Sequence, residues 1–190
     1  MHTALLVIDV QESFLHTEEF SALGFAEYQA RQTQLISSAR NAGIPIVGIL
    51  HESRRTPAFL AASGWVRPMD WVPDFDVCFT KHVHNAFTDT ELQKWLDERK
   101  ITRLIVSGIR TEQCCETTTR VASDLGYSVD FVTEATMTFA MTHANGVVYS
   151  ADDIKARTEL VLSQRFARIV TVAQLVDERY KGGRDASITT

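Results

Sequence analysis

Short apolar runs alternate with segments of helical period along almost the entire chain, and this alternation constrains the fold more than any other feature. ALLVID (Ala4 to Asp9) reads as a buried strand, YQARQTQLISSARNAG as a helix stopped by Gly43, and IPIVGIL as a second strand. FDVCFTK is a third strand, followed by TDTELQKWLDERK, a helix whose first-turn amides Thr88 or Asp89 can cap. RLIVSG, SVDFVT and ARIVT are three further strands, separated by the helices EQCCETTTRVASDLG and DDIKARTELVLSQRF, with VAQLVDERY as a last helix. Strands joined through helices of this length pair in parallel with right-handed crossovers. The expected fold class is therefore α/β, a Rossmann-like three-layer sandwich whose six-stranded parallel sheet is flanked by helices.

No internal repeat and no linker rich in Pro, Gly or Ser interrupts the pattern, so residues 1–180 are expected to form one domain, followed by a polar tail, 181–190, that frays or serves subunit contacts. Two segments break the alternation. Residues 51–74 carry three of the four prolines and two of the three tryptophans, and residues 138–150 lie where a short connection would suffice. Long insertions at strand ends are commonly site walls or lids.

Composition narrows the partners. With 190 residues, 45% hydrophobic and 23% charged, the chain suits a globular domain with a full core. A formal charge of −5 and the absence of Lys/Arg clusters argue against nucleic acid or an anionic membrane, leaving a small-molecule substrate as the expected partner and a homo-oligomer as the expected assembly. Met1 leads almost directly into the first strand without a basic leader or long apolar region, so a cytoplasmic location is expected. Cys78, Cys114 and Cys115 are an odd count, and sequence neighbours join only through a strained ring, which favours free thiols.

Three residues stand where an α/β site is expected, at the carboxyl ends of strands. Asp9 closes the first strand; a turn-capping Asp is the alternative, and on position alone the two readings weigh equally. Lys81 follows the third strand, where a lone lysine is more often solvated. Cys114 falls on the first turn of the helix after the fourth strand, with Thr111 placed as N-cap, and there the helix dipole and free amides favour a thiolate. The alternative for it is a small buried residue at a tight turn. Together the three make chemical sense: Asp9 takes the thiol proton, Lys81 holds both by charge, and helix amides stabilise an oxyanion.

At these residues the chain resembles the isochorismatase-like cysteine hydrolases, a family that includes nicotinamidases and N-carbamoylsarcosine amidases. The family pattern Asp-x-Gln-x-x-Phe appears as Asp9, Gln11 and Phe14; the lysine followed by Asn-x-Phe-x-x-Thr appears as Lys81, Asn85, Phe87 and Thr90; Gly-x-x-Thr-x-x-Cys-x-x-x-Thr appears as Gly108, Thr111, Cys114 and Thr118. The resemblance implies a catalytic triad of Asp9, Lys81 and Cys114. It also implies a cis peptide at Ile109-Arg110, with the backbone amides of Arg110 and Cys114 as the oxyanion hole. The implied activity is a metal-independent cysteine hydrolase, without cofactor, that cleaves a C–N bond of a small amide or ureido substrate through an acyl-enzyme. An isochorismatase-type vinyl-ether hydrolase and a non-catalytic small-molecule binder of the same fold are the alternatives. Cys115 stands where relatives carry a small apolar residue and is expected to pack on the sheet, on a stripe with Ala122 and Leu125; Cys78 is expected in the core.

The nicotinamidase branch holds a metal through an Asp-x-His pair after the second strand, and here the sequence reads GILHESRR, with His51-Glu52. His82 and His84 have ligand-like spacing, but zinc needs three or four ligands, so a rim or structural role is expected and no metal site is assigned. Arg110 and Glu112 also depart from the usual motif, which bears on the substrate. Phe14, Trp65 and Phe87 are the expected substrate-binding wall, with Trp71 a further candidate; the tryptophans are as readily anchors for their loop.

Overall fold

The computed structural model describes residues 2–176. Strand β1 (Thr3–Ile8) leads through a 3₁₀ turn (Glu12–His16) to helix α1 (Phe25–Asn41) and strand β2 (Ile46–His51). A long connection with two further 3₁₀ turns reaches β3 (Val77–Lys81), then α2 (Leu92–Glu98) and β4 (Arg103–Ile109). A single π turn (Thr111–Cys115) opens α3 (Glu116–Asp124), followed by β5 (Ser128–Met137), a hairpin of β6 (Met141–Thr142) and β7 (Val148–Tyr149), α4 (Ala151–Leu162), β8 (Arg168–Ile169) and α5 (Val172–Val176). The expected tail at 181–190 lies outside the described residues.

All six strands of the main sheet run parallel, in the order β3-β2-β1-β4-β5-β8. Side-chain alternation along β1 explains the three layers. Leu5 and Val7 join Tyr28, Leu35 and Ile36 of α1 and Val172 and Leu175 of α5 in one core. Ala4, Leu6 and Ile8 join Leu92 and Leu96 of α2, Ala122 of α3 and Leu162 of α4 in the other. The strand order reverses direction between β1 and β4, and a parallel sheet opens a crevice at that switch point. Gly108 allows the two central strands to meet there: its φ is +129°, and an added Cβ would lie 1.9 Å from the Ile8 carbonyl oxygen. Among the described residues, no helix is long and apolar enough to cross a membrane.

Several local expectations change. The helix expected from 88 begins only at Leu92, because Asn85 Oδ1 accepts from the amides of Phe87 and Thr88 and closes a turn of its own. Neither Thr88 nor Asp89 caps it; Thr90 Oγ1 accepts from the Leu92 amide instead. Thr111 is not an N-cap either, since its hydroxyl meets Thr136 Oγ1 at 2.7 Å and pins the π turn to β5. Leu125 is 42% exposed, whereas Cys115 and Ala122 are fully buried, because the helix ends one residue before Leu125. Cys78 is exposed rather than core, since β3 is the sheet edge and its alternate residues face outward.

Candidate active site

Asp9, Lys81 and Cys114 meet at the carboxyl edge of the sheet. Asp9 follows β1 with a left-handed φ of 53°, its amide donating 2.8 Å to the Ile49 carbonyl, so the chain turns and aims the carboxylate across the strand ends. Lys81 ends β3 and Cys114 sits in the π turn after β4. Lys81 Nζ donates to Asp9 Oδ2 at 2.8 Å and to Cys114 Sγ at 3.4 Å. Lys81 is 0%, Asp9 1% and Cys114 7% exposed. Asp9 Oδ1 is buried and, among the described residues, has no hydrogen-bond partner. The peptide Ile109-Arg110 is cis.

Burial would strip the charge from Lys81, yet the Asp9 carboxylate, the Cys114 sulfur and their hydrogen bonds outweigh it and hold the ammonium above its ordinary range. For Cys114, burial and then the Asp9 charge push the thiol well above the ordinary range, and Lys81 only partly opposes them. Desolvation and the neighbouring carboxylate thus oppose the pull of the helix amides toward a thiolate.

The remaining motif residues hold this geometry. The Gln11 side chain grips the end of β2, accepting from the His51 amide at 2.7 Å and donating to the His51 carbonyl at 3.0 Å, with a further bond to Ser13 Oγ at 2.8 Å. Thr118 Oγ1 accepts from the Ala86 amide at 3.1 Å, tying the segment after Lys81 to α3. His51, which sequence reasoning considered only for metal, belongs to the site: it pairs in register with Lys81 across β2 and β3, and its Nδ1 lies 3.2 Å from Lys81 Nζ. Its position at a strand end was the available signal.

A cleft of about 760 Å³ opens over Asp9 and Cys114, with Lys81 buried beneath its lining. Phe14, Phe59 and Phe139 line it with His51, and the Phe14 and Phe59 rings pack edge to face at 5.0 Å. Arg54, Arg55, Glu52, His82, His84 and Arg110 supply polar lining. The long segments suspected as walls do provide them, through Arg54, Arg55 and Phe59 on one side and Phe139 on the other. Phe14 lines the cleft as expected, but Trp65 and Phe87 are not among its lining residues. Trp65 stacks on His16 at 3.7 Å, and Phe87 stacks on Tyr127 at 5.9 Å. Trp71 packs on Tyr28 and likewise anchors its loop. Arg110 pairs with Glu112 at 3.1 Å and lies over the Phe139 ring. Among the described residues, no group of three or more His, Cys, Asp or Glu is arranged to hold an ion.

Known proteins resemble the chain along nearly its whole length. The isochorismatase domain model matches residues 3–174. The isochorismatase-family protein YrdC of Bacillus subtilis is 28% identical over 185 residues, spanning 94% of this chain and 96% of its own. The streptothricin hydrolase of Streptomyces noursei is 31% identical over 169 residues, spanning 86% of this chain and 57% of its own. An isochorismatase-family crystal structure from Burkholderia xenovorans superposes with a TM-score of 0.87 at 27% identity, covering 98% of this chain and 90% of that one. Motifs, strand order and matched span agree, and the chain belongs to the isochorismatase family of hydrolases.

Proposed function

We propose that this hydrolase is a metal-independent cysteine enzyme that cleaves a C–N bond of a small amide or ureido compound through an acyl-enzyme. The observation that carries the reading is the division of labour on Asp9: Oδ2 accepts from Lys81, while Oδ1 is buried, has no hydrogen-bond partner among the described residues and is open to receive a proton. A thiol held in its protonated form needs such a base.

In the first step Asp9 takes the Cys114 thiol proton as Sγ attacks the substrate carbonyl carbon, forming a C–S bond. The Lys81 ammonium, 3.4 Å from Sγ, stabilises the negative sulfur while it lasts. The carbonyl electrons move to oxygen, where the backbone amides of Arg110 and Cys114 act as donors. When the tetrahedral species collapses, the C–N bond breaks and the departing nitrogen takes the proton from Asp9, leaving a thioester. Asp9 then removes a proton from water, hydroxide adds to the thioester carbon, and the C–S bond breaks with the proton returned to sulfur. The streptothricin hydrolase relative, itself named a hydrolase, agrees with this class of chemistry.

The test offers a panel of small primary amides, ureido acids and isochorismate to the wild type, Cys114→Ala and Asp9→Asn, with intact-mass analysis of quenched turnover mixtures. The expected result is one amide or ureido substrate, an acyl adduct on Cys114, and no turnover by either variant. Isochorismate cleavage by Cys114→Ala at close to the wild-type rate would instead assign simple protonation of a vinyl ether by Asp9.

A further inference from the structure

Lys81 is fully buried and carries three ammonium protons, each of which needs an acceptor where water is excluded. Asp9 Oδ2 at 2.8 Å and Cys114 Sγ at 3.4 Å take two of them, and both groups change protonation during the proposed reaction. His51 Nδ1 lies 3.2 Å from Nζ, within hydrogen-bond reach of the third. We propose that His51 is a positioning residue of this enzyme: its neutral ring accepts from Lys81 through Nδ1 and holds the ammonium between Asp9 and Cys114 while the proton passes from one to the other. The inference rests on the cysteine-hydrolase reading of the same site.

Backbone geometry supports this aim. His51 and Lys81 are register partners in neighbouring parallel strands, so their side chains leave the sheet on the same face. Gln11 fixes the His51 backbone by both its amide and its carbonyl, which sets where the side chain leaves the strand. An acceptor at Nδ1 requires the proton on Nε2 and an uncharged ring. Burial, then the Lys81 charge, lowers the His51 pKa; Asp9 opposes them, His84 adds to the lowering, and hydrogen bonding to the Val83 backbone opposes it. The titratable groups acting on the ring are thus Lys81, Asp9 and His84, with Cys114 beyond Lys81. The sign follows: neutral His51 supports the folded site above the ordinary imidazole range, and that support is lost as pH falls through its lowered pKa. A protonated ring would present a donor to a donor and push Lys81 off both partners.

Two measurements on the full chain test this. In long-range ¹H–¹⁵N spectra of histidine-labelled protein at neutral pH, His51 Nδ1 should be the unprotonated, acceptor nitrogen. In a pH series, alkylation of Cys114 by iodoacetamide, followed by peptide mass mapping, should slow by about 10- to 100-fold in His51→Leu at neutral pH. His51→Asn, which restores an acceptor near the Nδ1 position, should recover most of that loss and move the acid limb of the profile downward. A protonated Nδ1, or equal profiles for wild type and both variants while Asp9→Asn slows alkylation, would overturn the role of His51 and leave the cysteine reading standing. Alkylation unaffected by Asp9→Asn as well would overturn both.

Discussion

Asp9 gives one carboxylate oxygen to Lys81 at 2.8 Å, while the other is buried without a hydrogen-bond partner among the described residues, so a single side chain combines a counterion with the proton acceptor that the proposed reaction needs. Loss of either function should be separable by experiment.

Lys81→Met removes the counterion and the nearest positive charge to Cys114. Turnover should fall by at least about 100-fold. The fold should survive, at a cost of about 3 to 5 kcal/mol, because a buried carboxylate is left alone. Urea denaturation alongside kinetics reads both. Near wild-type turnover would show that the lysine is a structural ion-pair partner only.

Alkaline stability should report the Cys114 thiol. Burial and the Asp9 charge raise its pKa in the folded state, so the thiol's contribution is complete below the ordinary thiol range and is lost as pH rises above it. Cys114→Ala should therefore flatten the decline in stability between about pH 8.5 and pH 10. Thermal melts across that range test it, with parallel curves for wild type and variant as the contrary result.

Gln11→Leu takes the side-chain partner from the His51 amide and the His51 carbonyl, while Ser13 Oγ keeps its bond to the Trp65 carbonyl. A loss of about 2 to 4 kcal/mol in unfolding free energy is expected, since those groups are buried or partly buried. Cys114 alkylation should slow in step, because the end of β2 is then free to shift.

Prolonged chelation should change neither turnover nor melting temperature. His51 presents Nδ1 to an ammonium, and among the described residues no third ligand joins a histidine pair. Stoichiometric zinc in the purified protein with chelator-sensitive turnover would refute this and return His82 and His84 as ligands.

Gly108→Ala should cost more than about 4 kcal/mol and yield little soluble protein, because the added methyl would meet the Ile8 backbone and not a movable side chain. Gly146→Ala provides the comparison: its φ is also positive, at +86°, but open space surrounds it, so about 1 kcal/mol is expected.

Sequence alone placed Asp9, Lys81 and Cys114 at one edge because strand ends in an α/β chain converge whatever the details of packing. It did not place Cys78 or Leu125 correctly, since exposure there depends on which strand becomes the edge and where a helix stops, and neither is written locally. The aromatic wall was half legible for the same reason. Phe14 lies beside Asp9 on a short turn and is carried into the cleft. Trp65 sits in a long loop, and its ring finds His16 instead. His51 was hidden by a question about metal, although its register with Lys81 is a direct product of strand pairing. For Cys114 the helix terminus is visible in sequence, whereas the depth of burial that opposes its pull on the thiol is not.

The pairing of Ile8 with Gly108 brings β1 and β4 side by side immediately before Asp9 and the Cys114 turn. The separation of proton acceptor and thiol is thereby governed by the rungs of the backbone ladder, a ruler of about 4.8 Å per strand, and by no surface loop. Arg54, Arg55, Phe59 and Phe139 hang outside that ruler on the two irregular segments. Those segments can lengthen, shorten or be exchanged as interchangeable fittings while the reacting atoms stay in place. A new substrate is then a matter of loop replacement, and grafting the 52–76 and 138–150 segments between homologous chains is the direct way to move specificity without rebuilding the chemistry.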